Sequence, residues 1–156
     1  MKINKYKIET RGRGRIPVRV REATCEVNGT AWDNPKAMAQ LACRLYRLPY
    51  MAEEYVIIIA LDAQGIPKCA FEVSHGTSNY APILPSEVLK RVLLSGADMF
   101  VMLHNHPSGN LDPSRDDEKA CKRMKEASEI IGVMMIDFII TGRDGGYCSF
   151  LNKGIL

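Results

Sequence analysis

Two of the three histidines in the chain lie close together in the segment HNHPSGNLDPSRDD, residues 104–117. Side chains at positions i and i+2 of a strand point the same way, so the imidazoles of His104 and His106 could converge on one ion. A zinc site of the catalytic type needs three protein ligands and an open position for water. His104, His106 and Asp117 supply that number from one compact segment.

The same segment also has a simpler interpretation, as the start of a helix. Ser114 and Asp117 form an S-x-x-D pattern before an apolar-periodic segment, which is typical of a capping box and requires no metal. Spacing alone does not choose the carboxylate either, because Asp112, Asp116 and Glu118 lie nearby. The spacing therefore favours a metal site and leaves its third ligand open.

The surrounding pattern predicts the elements that position this segment. The apolar run DMFVMLH predicts a strand that ends at His104, and residues 114–132 predict a long amphipathic helix. Two further helices are predicted over residues 33–49 and 85–96, and β-branched or alternating runs predict strands and hairpins before, between and after them. This order predicts an α/β (α+β) fold, a mixed β-sheet flanked by helices. A site is expected where a strand ends and a helix begins.

The composition is that of a globular protein. Of the 156 residues, 46% are hydrophobic and 25% are charged. No apolar run approaches the roughly 20 residues that span a bilayer, and the N-terminal sequence lacks the apolar region of a secretory signal. Five scattered cysteines form no C-x-x-C pair. These features predict reduced thiols, a cytoplasmic location and no membrane association.

Positive charge is concentrated at the N-terminus. Residues 1–21 hold eight basic residues and one acid, a net charge of +7, whereas the other 135 residues carry −4. Residues 1–30 are interpreted as a basic arm of strands within the same unit, and residues 31–156 as the main domain. The arginines of the arm favour a solvated, charged edge strand that resists aggregation, with contact to nucleic acid as the alternative. They are Arg11, Arg13, Arg15, Arg19 and Arg21.

The segment 104–117 resembles the signature of JAMM (JAB/MPN-type) metalloproteases, H-x-H, seven residues, Ser, two residues, Asp. Its letters HNHPSG and PSRDD are similar to the RadC family in particular, and the similarity continues over about residues 34–156, through FEVSHGT and PSEVLKRVLLSGAD. The resemblance implies a JAB/MPN (cytidine-deaminase-like) sandwich that holds one zinc ion per chain at His104, His106 and Asp117. Because about 30 residues precede the core, too few for the helix-hairpin-helix module of full-length members, a short RadC-like protein is expected.

The resemblance also implies an activity and two further site residues. Glu72, in the E-x-x-x-G-T context of EVSHGT, is the implied general base, and Ser114 is the implied donor to the oxyanion. The implied reaction is hydrolysis of a peptide or isopeptide amide bond in a protein or peptide substrate. His75 lies three residues after Glu72, so strand alternation predicts that it faces the opposite side of the sheet.

Other classes of protein remain as alternatives or are disfavoured. A DNA-repair label attached to RadC proteins implies a DNA-associated protein that binds through the basic arm, and a metal-binding scaffold is a further alternative. An HNH nuclease spreads its ligands over a ββα unit, and the H-x-E and P-C-x-x-C elements of cytidine deaminases are absent from the sequence. Many RadC proteins have histidine where this chain has Phe138, outside the metal signature.

Overall fold

The structure is a computed structural model that describes residues 2–26 and 34–156. The predicted domain boundary between residues 30 and 31 lies outside the described residues. The described strands and helices are, in chain order, β1 Lys2–Arg11, β2 Ile16–Glu26, α1 Pro35–Tyr46, β3 Tyr55–Leu61, β4 Pro67–His75, α2 Pro85–Ser95, β5 Met99–Asn105, α3 Arg115–Ile131, β6 Met134–Thr141 and β7 Tyr147–Ser149. None of the described helices combines the length and apolar character needed to cross a membrane.

The described strands form one mixed sheet in the order β2-β1-β4-β3-β5-β6-β7. β1 runs parallel to β4 and β5 runs parallel to β6, while the other neighbours are antiparallel. The N-terminal arm therefore contributes two strands to the same sheet as the rest of the chain. The α/β prediction of a mixed sheet flanked by helices is confirmed.

Each face of the sheet is covered by helices, because successive strand residues point to opposite sides. On one face, Ile58 and Met102 pack in a core with buried residues of α2 and α3. On the other face, Ile57 and Leu103 pack in a second core with α1. The face to which a strand residue points therefore determines whether its side chain contacts α2 and α3 or contacts α1.

Local signals set the ends of the helices. The side chain of Asn34 accepts a hydrogen bond from the backbone N–H of Ala37 at 2.9 Å, and Pro35 follows it at the first helical position of α1. α2 and α3 both end at a glycine in the left-handed region, Gly96 and Gly132. The five cysteines are free.

Candidate metal centre

The antiparallel pairing of β3 and β5 brings the histidines to the face that α2 and α3 cover. His104, the penultimate residue of β5, lies directly opposite Val56, whose side chain belongs to the α2 and α3 core. Directly opposed residues share a face, so the His104 imidazole points towards α3. His106 follows two residues later, and its ring lies edge-on to that of His104 with the centroids 4.5 Å apart.

Asp117, in the first turn of α3, completes a compact group with the two histidines. Its Oδ1 lies 3.3 Å from His104 Nε2 and its Oδ2 lies 3.6 Å from His106 Nε2. The three residues each offer one ligand atom, and these atoms lie within 4.8 Å of one another. The group could therefore hold a metal ion.

The structure distinguishes Asp117 from its acidic neighbours by burial. Asp117 is only 7% exposed, whereas the three competitors are exposed. Asp116 forms an ion pair with Lys119 at 3.0 Å. Of these carboxylates, Asp117 is the one that faces both histidines.

The ring of His104 supports metal binding independently of these distances. Among the described residues, neither of its nitrogens has a hydrogen-bond partner although the residue is only 2% exposed. Burial lowers the pKa of His104 to about 4, against the opposing charge of Asp117, so the imidazole is neutral near pH 7 and keeps a lone pair. A buried polar atom without a partner is destabilising by about 1–3 kcal/mol. A bound cation would remove that cost, so the residues fit a metal ion.

A second hydrogen bond orients His106. Its Nδ1 lies 2.7 Å from the carbonyl oxygen of Asn110. Because a carbonyl only accepts, Nδ1 carries a proton, and Nε2 is the ring nitrogen that faces Asp117. Burial alone would lower the pKa of His106, but the facing Asp117 carboxylate and the hydrogen bond to the Asn110 carbonyl raise it above the ordinary value.

Ser114 and Asp117 form the predicted capping box. Asp117 Oδ2 accepts hydrogen bonds from the Ser114 backbone N–H at 2.8 Å and from its hydroxyl at 2.6 Å, and the Asp117 N–H donates to Ser114 Oγ at 3.1 Å. Burial would raise the pKa of Asp117, but the neighbouring imidazoles of His106 and His104 and the hydrogen bonds from Ser114 lower it to about 2. The helix start thus holds Asp117 as an ionised carboxylate that faces the histidines.

Glu72 is the predicted site residue that the structure does not bring to this group. It lies opposite Ile57, so its side chain is on the α1 face of the sheet, away from His104. Its carboxylate binds His75 Nδ1 at 2.9 Å instead. The opposite-face prediction for His75 is also wrong, because a β-bulge at Val73 shifts the register and puts both side chains on one face. The placement of Glu72 beside the histidines is corrected accordingly.

Glu54 is the carboxylate that the sequence interpretation missed. It precedes Val56 by two residues, so strand alternation puts it on the same face as His104. Glu54 is 8% exposed and its Oε2 lies 3.8 Å from His104 Nδ1. The signal in the sequence is an acid directly before a buried β-branched run, EYVIIIALD, which gains meaning only when the pairing partner of that strand is known.

Two neighbouring segments fix the backbone around Glu54. The side chain of Asn105 accepts from the Tyr55 N–H at 2.7 Å and donates to the Glu53 carbonyl at 2.9 Å. Glu54 itself exchanges backbone hydrogen bonds with Gly76 and Thr77, at 3.0 and 2.8 Å. The G-T pair that follows β4 therefore supports a carboxylate close to the histidines, and that carboxylate is Glu54, directly before β3.

Gly76 is required by the close approach of the chain at this point. A Cβ built on Gly76 would lie 2.0 Å from the carbonyl oxygen of Tyr80 and 2.9 Å from the Cα of Ala81. The loop can fold back under Glu54 only because residue 76 has no side chain.

Comparison with known proteins identifies the family to which the chain belongs. A family model described as RadC-like JAB domain matches residues 32–155. The chain belongs to the RadC-like JAB domain family. It is 36% identical over 111 residues to a UPF0758 protein of Pelobacter propionicus and 36% identical over 112 residues to one of Coprothermobacter proteolyticus, covering 71% and 70% of this chain and 48% of each relative. A UPF0758 protein of Symbiobacterium thermophilum is 32% identical over 123 residues, 79% of this chain and 51% of that protein. The chain thus spans about half the length of these curated relatives.

In this RadC-like JAB domain, Phe138 supports the centre by packing. Its ring is fully buried, with its centroid 5.6 Å from that of His104 and 4.8 Å from that of Phe150. The aromatic wall restricts the orientation of the His104 ring.

The His-His-Asp group of the RadC-like JAB domain lines a wide cleft. A cleft of about 830 Å³ is lined by Glu54, both histidines and Asp117, and by residues of the loop before α2 and of α3. Tyr80 and Leu84 on its wall are 61% and 51% exposed. Its volume lies within the range usual for ligand-binding clefts.

Proposed function

We propose that this RadC-like JAB domain is a zinc-dependent hydrolase that cleaves a peptide or isopeptide amide bond. The observation that carries the proposal is the position of the Glu54 carboxylate beside a buried His-His-Asp group at an open cleft. This arrangement combines a ligand set with a proton acceptor, which a purely structural metal site does not need.

The donor set favours zinc over harder cations. Two imidazoles and one carboxylate, His104, His106 and Asp117, are ligands typical of catalytic zinc, whereas magnesium and calcium prefer oxygen ligands. A bound zinc ion would supply Lewis-acid activation and would lower the pKa of its water to about 7. One zinc ion per chain is proposed.

Glu54 is proposed as the general base in place of Glu72. Burial and the charge of Asp117 raise its pKa, against the opposing effects of His106 and of the Ala81 backbone. A raised pKa brings a carboxylate closer to the working pH of a proton acceptor. Glu54 would take a proton from the attacking water and later deliver it to the leaving amine, so that the amide carbon–nitrogen bond breaks and carboxylic acid and amine form.

Ser114 has one role that the structure shows and a second that is proposed. Its hydroxyl donates to Asp117 Oδ2 in the structure and so positions that carboxylate. To stabilise the oxyanion, as the family resemblance implies, the same hydroxyl would have to turn from Asp117 to the substrate oxygen. In other enzymes, removal of such a donor raises the activation barrier by on the order of 3 kcal/mol.

The proposed substrate is a protein or peptide in the cytoplasm. An extended chain could lie in the open cleft, with an apolar side chain against Tyr80 or Leu84. Amide bonds of the main chain and of lysine side chains share the same carbonyl chemistry, so both belong to the proposal.

The decisive experiment compares wild type with Glu54→Gln and the matched control Glu72→Gln. Zinc content is measured by atomic absorption, and hydrolysis is followed on peptide and isopeptide-linked substrate libraries. Glu54→Gln is expected to lower the rate by about 10²–10⁴-fold, the usual contribution of general acid–base catalysis, while zinc content stays near one ion per chain. Glu72→Gln is expected to leave both unchanged.

Three results would contradict parts of this proposal. Zinc-free protein after incubation with the metal would reject the metal site. Stoichiometric zinc with no hydrolysis of either library would point to a metal-binding scaffold. A rate loss in Glu72→Gln, but not in Glu54→Gln, would restore the base to β4.

A further inference from the structure

The hairpin of β1 and β2 continues well beyond its attachment to the sheet. β1 pairs with β4 only through Asn4–Tyr6, whereas its ladder with β2 runs on to the pair Arg11 and Ile16. Five residue pairs therefore lie past the last pair with β4. At roughly 3.4 Å per residue they extend about 17 Å, and we call residues 7–20, with the turn, the ribbon.

The tip of the ribbon is strongly basic. Arg11, Arg13 and Arg15 surround two glycines in the sequence RGRGR, and all five residues are exposed. Within residues 2–26 and 34–156, none of these three arginines forms an ion pair. Glu9, the one acid of the ribbon, is bound by Lys7 at 2.8 Å.

Arg19, by contrast, has a structural role. Its guanidinium lies over the Tyr6 ring, 4.5 Å from the centroid, and donates to the carbonyl of Ser95 at 3.4 Å. This contact anchors the base of the ribbon against α2. Of the basic residues in the ribbon, those available to a partner are therefore the three arginines of the tip.

We propose that the ribbon binds duplex DNA, with Arg11, Arg13 and Arg15 contacting phosphates. The guanidinium group matches a phosphate through two parallel hydrogen bonds, and a two-stranded β-ribbon fits the DNA major groove, which is about 12 Å wide. The major groove of an RNA duplex is too narrow for such a ribbon. The basic tip of a second copy is disfavoured as the partner, because the two tips would bring like charges together.

The test measures binding of a fluorescently labelled short DNA duplex to the whole chain by anisotropy. The tip variant is Arg11→Ala, Arg13→Ala and Arg15→Asn, because Arg15 has a φ of 48° and asparagine tolerates that left-handed backbone. The matched control, Lys36→Ala, Lys122→Ala and Lys125→Ala, removes the same charge from exposed positions of α1 and α3. Salt is varied between about 50 and 200 mM, the range over which phosphate binding dominates.

Wild type is expected to bind with a steep salt dependence. The tip variant should bind at least tenfold more weakly at low salt, and its log–log salt slope should fall by about 0.9 for each phosphate that the variant no longer neutralises. The control should stay within about twofold of wild type, because charges outside the interface contribute only through the general field. Unchanged urea denaturation of the tip variant verifies its fold.

Three outcomes would overturn the proposal. The first is salt-independent or undetectable binding by the wild type, and the second is an equally large decrease in affinity in the lysine control. The third is competition by polyglutamate as effective as that by unlabelled duplex, which would indicate an acidic polypeptide partner. Peptide hydrolysis by the tip variant is measured in parallel and is expected to be unchanged, so failure here is separable from failure of the proposed hydrolase.

Discussion

Asn105 stands between the two histidines, and its side chain makes contacts quite different from theirs. The His104 and His106 imidazoles face the Asp117 carboxylate, while the Asn105 amide bridges the Glu53 carbonyl and the Tyr55 N–H. It thereby holds the residues on both sides of Glu54. The middle letter of H-N-H is a positioning residue, which connects the ligand strand to the proposed base.

Replacing Asn105 should therefore affect the base more than the metal. Asn105→Ala is expected to lower kcat by up to about 100-fold with little change in KM, since a displacement of about 1 Å can cost that much. Zinc content should be unchanged, because Asn105 is not a ligand. The two backbone groups left unpaired should destabilise the fold by about 1–3 kcal/mol. Steady-state kinetics, metal analysis and urea denaturation measure the three effects.

A variant of comparable stability separates positioning from general destabilisation. Ile3→Val, in the fully buried residue of β1, should cost about 0.5–1.5 kcal/mol and leave kcat unchanged. Equal kcat for Asn105→Ala and wild type would show that the hydrogen bonds around Glu54 do not determine its catalytic position.

At the scale of elements, the start of α3 serves the helix and the metal centre at once. The Ser114 cap satisfies one orphan N–H group of the first turn, that of Asp117, and its hydroxyl also binds the Asp117 carboxylate. α1 offers a cap on a different helix, where the Asn34 side chain accepts a hydrogen bond from the Ala37 N–H. The two caps form a natural comparison.

Ser114→Ala and Asn34→Ala should have similar effects on stability and different effects on zinc. Each is expected to lower the free energy of unfolding by about 1 kcal/mol, the usual value of an N-cap. Only Ser114→Ala should weaken zinc binding, by about 10–100-fold, as happens elsewhere when a ligand is deprived of its hydrogen-bond partner. Competition with a metal-sensitive dye gives the zinc affinity. Equal zinc affinity in the two variants would show that the cap does not hold Asp117 for the metal.

The ends of strands and helices could be predicted from the sequence, whereas the pairing of β3 with β5 could not. The strand that ends at His104, the capping box and the glycine stops are local signals, and the structure has each of them where the sequence predicts it, the strand to within one residue. The choice between Glu54 and Glu72 depends on non-local facts, namely the pairing of β3 with β5 and the bulge in β4. A slip of one residue in register exchanges the faces of a strand. A single sequence contains no direct signal for that register. The sequence alone could therefore not favour Glu54 over Glu72 as the proposed base.

At the scale of the whole molecule, the three candidate metal ligands come from segments that the sheet alone does not hold together. His104 belongs to β5, His106 to the loop after it and Asp117 to α3, and Glu54 leads into β3. An ion bound by the first three would tie the helix to the centre of the sheet. Because an unfolded chain cannot present the three ligands together, zinc binding should stabilise the folded state by mass action.

The melting temperature should therefore rise with free zinc and fall on chelation. At free zinc about 100 times the dissociation constant, the gain is about 2.7 kcal/mol, which corresponds to a shift of about 5–10 °C for a chain of this size. Two adjacent aspartates provide the matched pair, since Asp117 is buried at the ligand group and Asp116 is exposed beside Lys119. In calorimetry with and without chelator, Asp116→Asn should keep the full shift and Asp117→Asn should lose most of it. An equal shift in both variants would mean that zinc stabilises the chain from somewhere other than this centre.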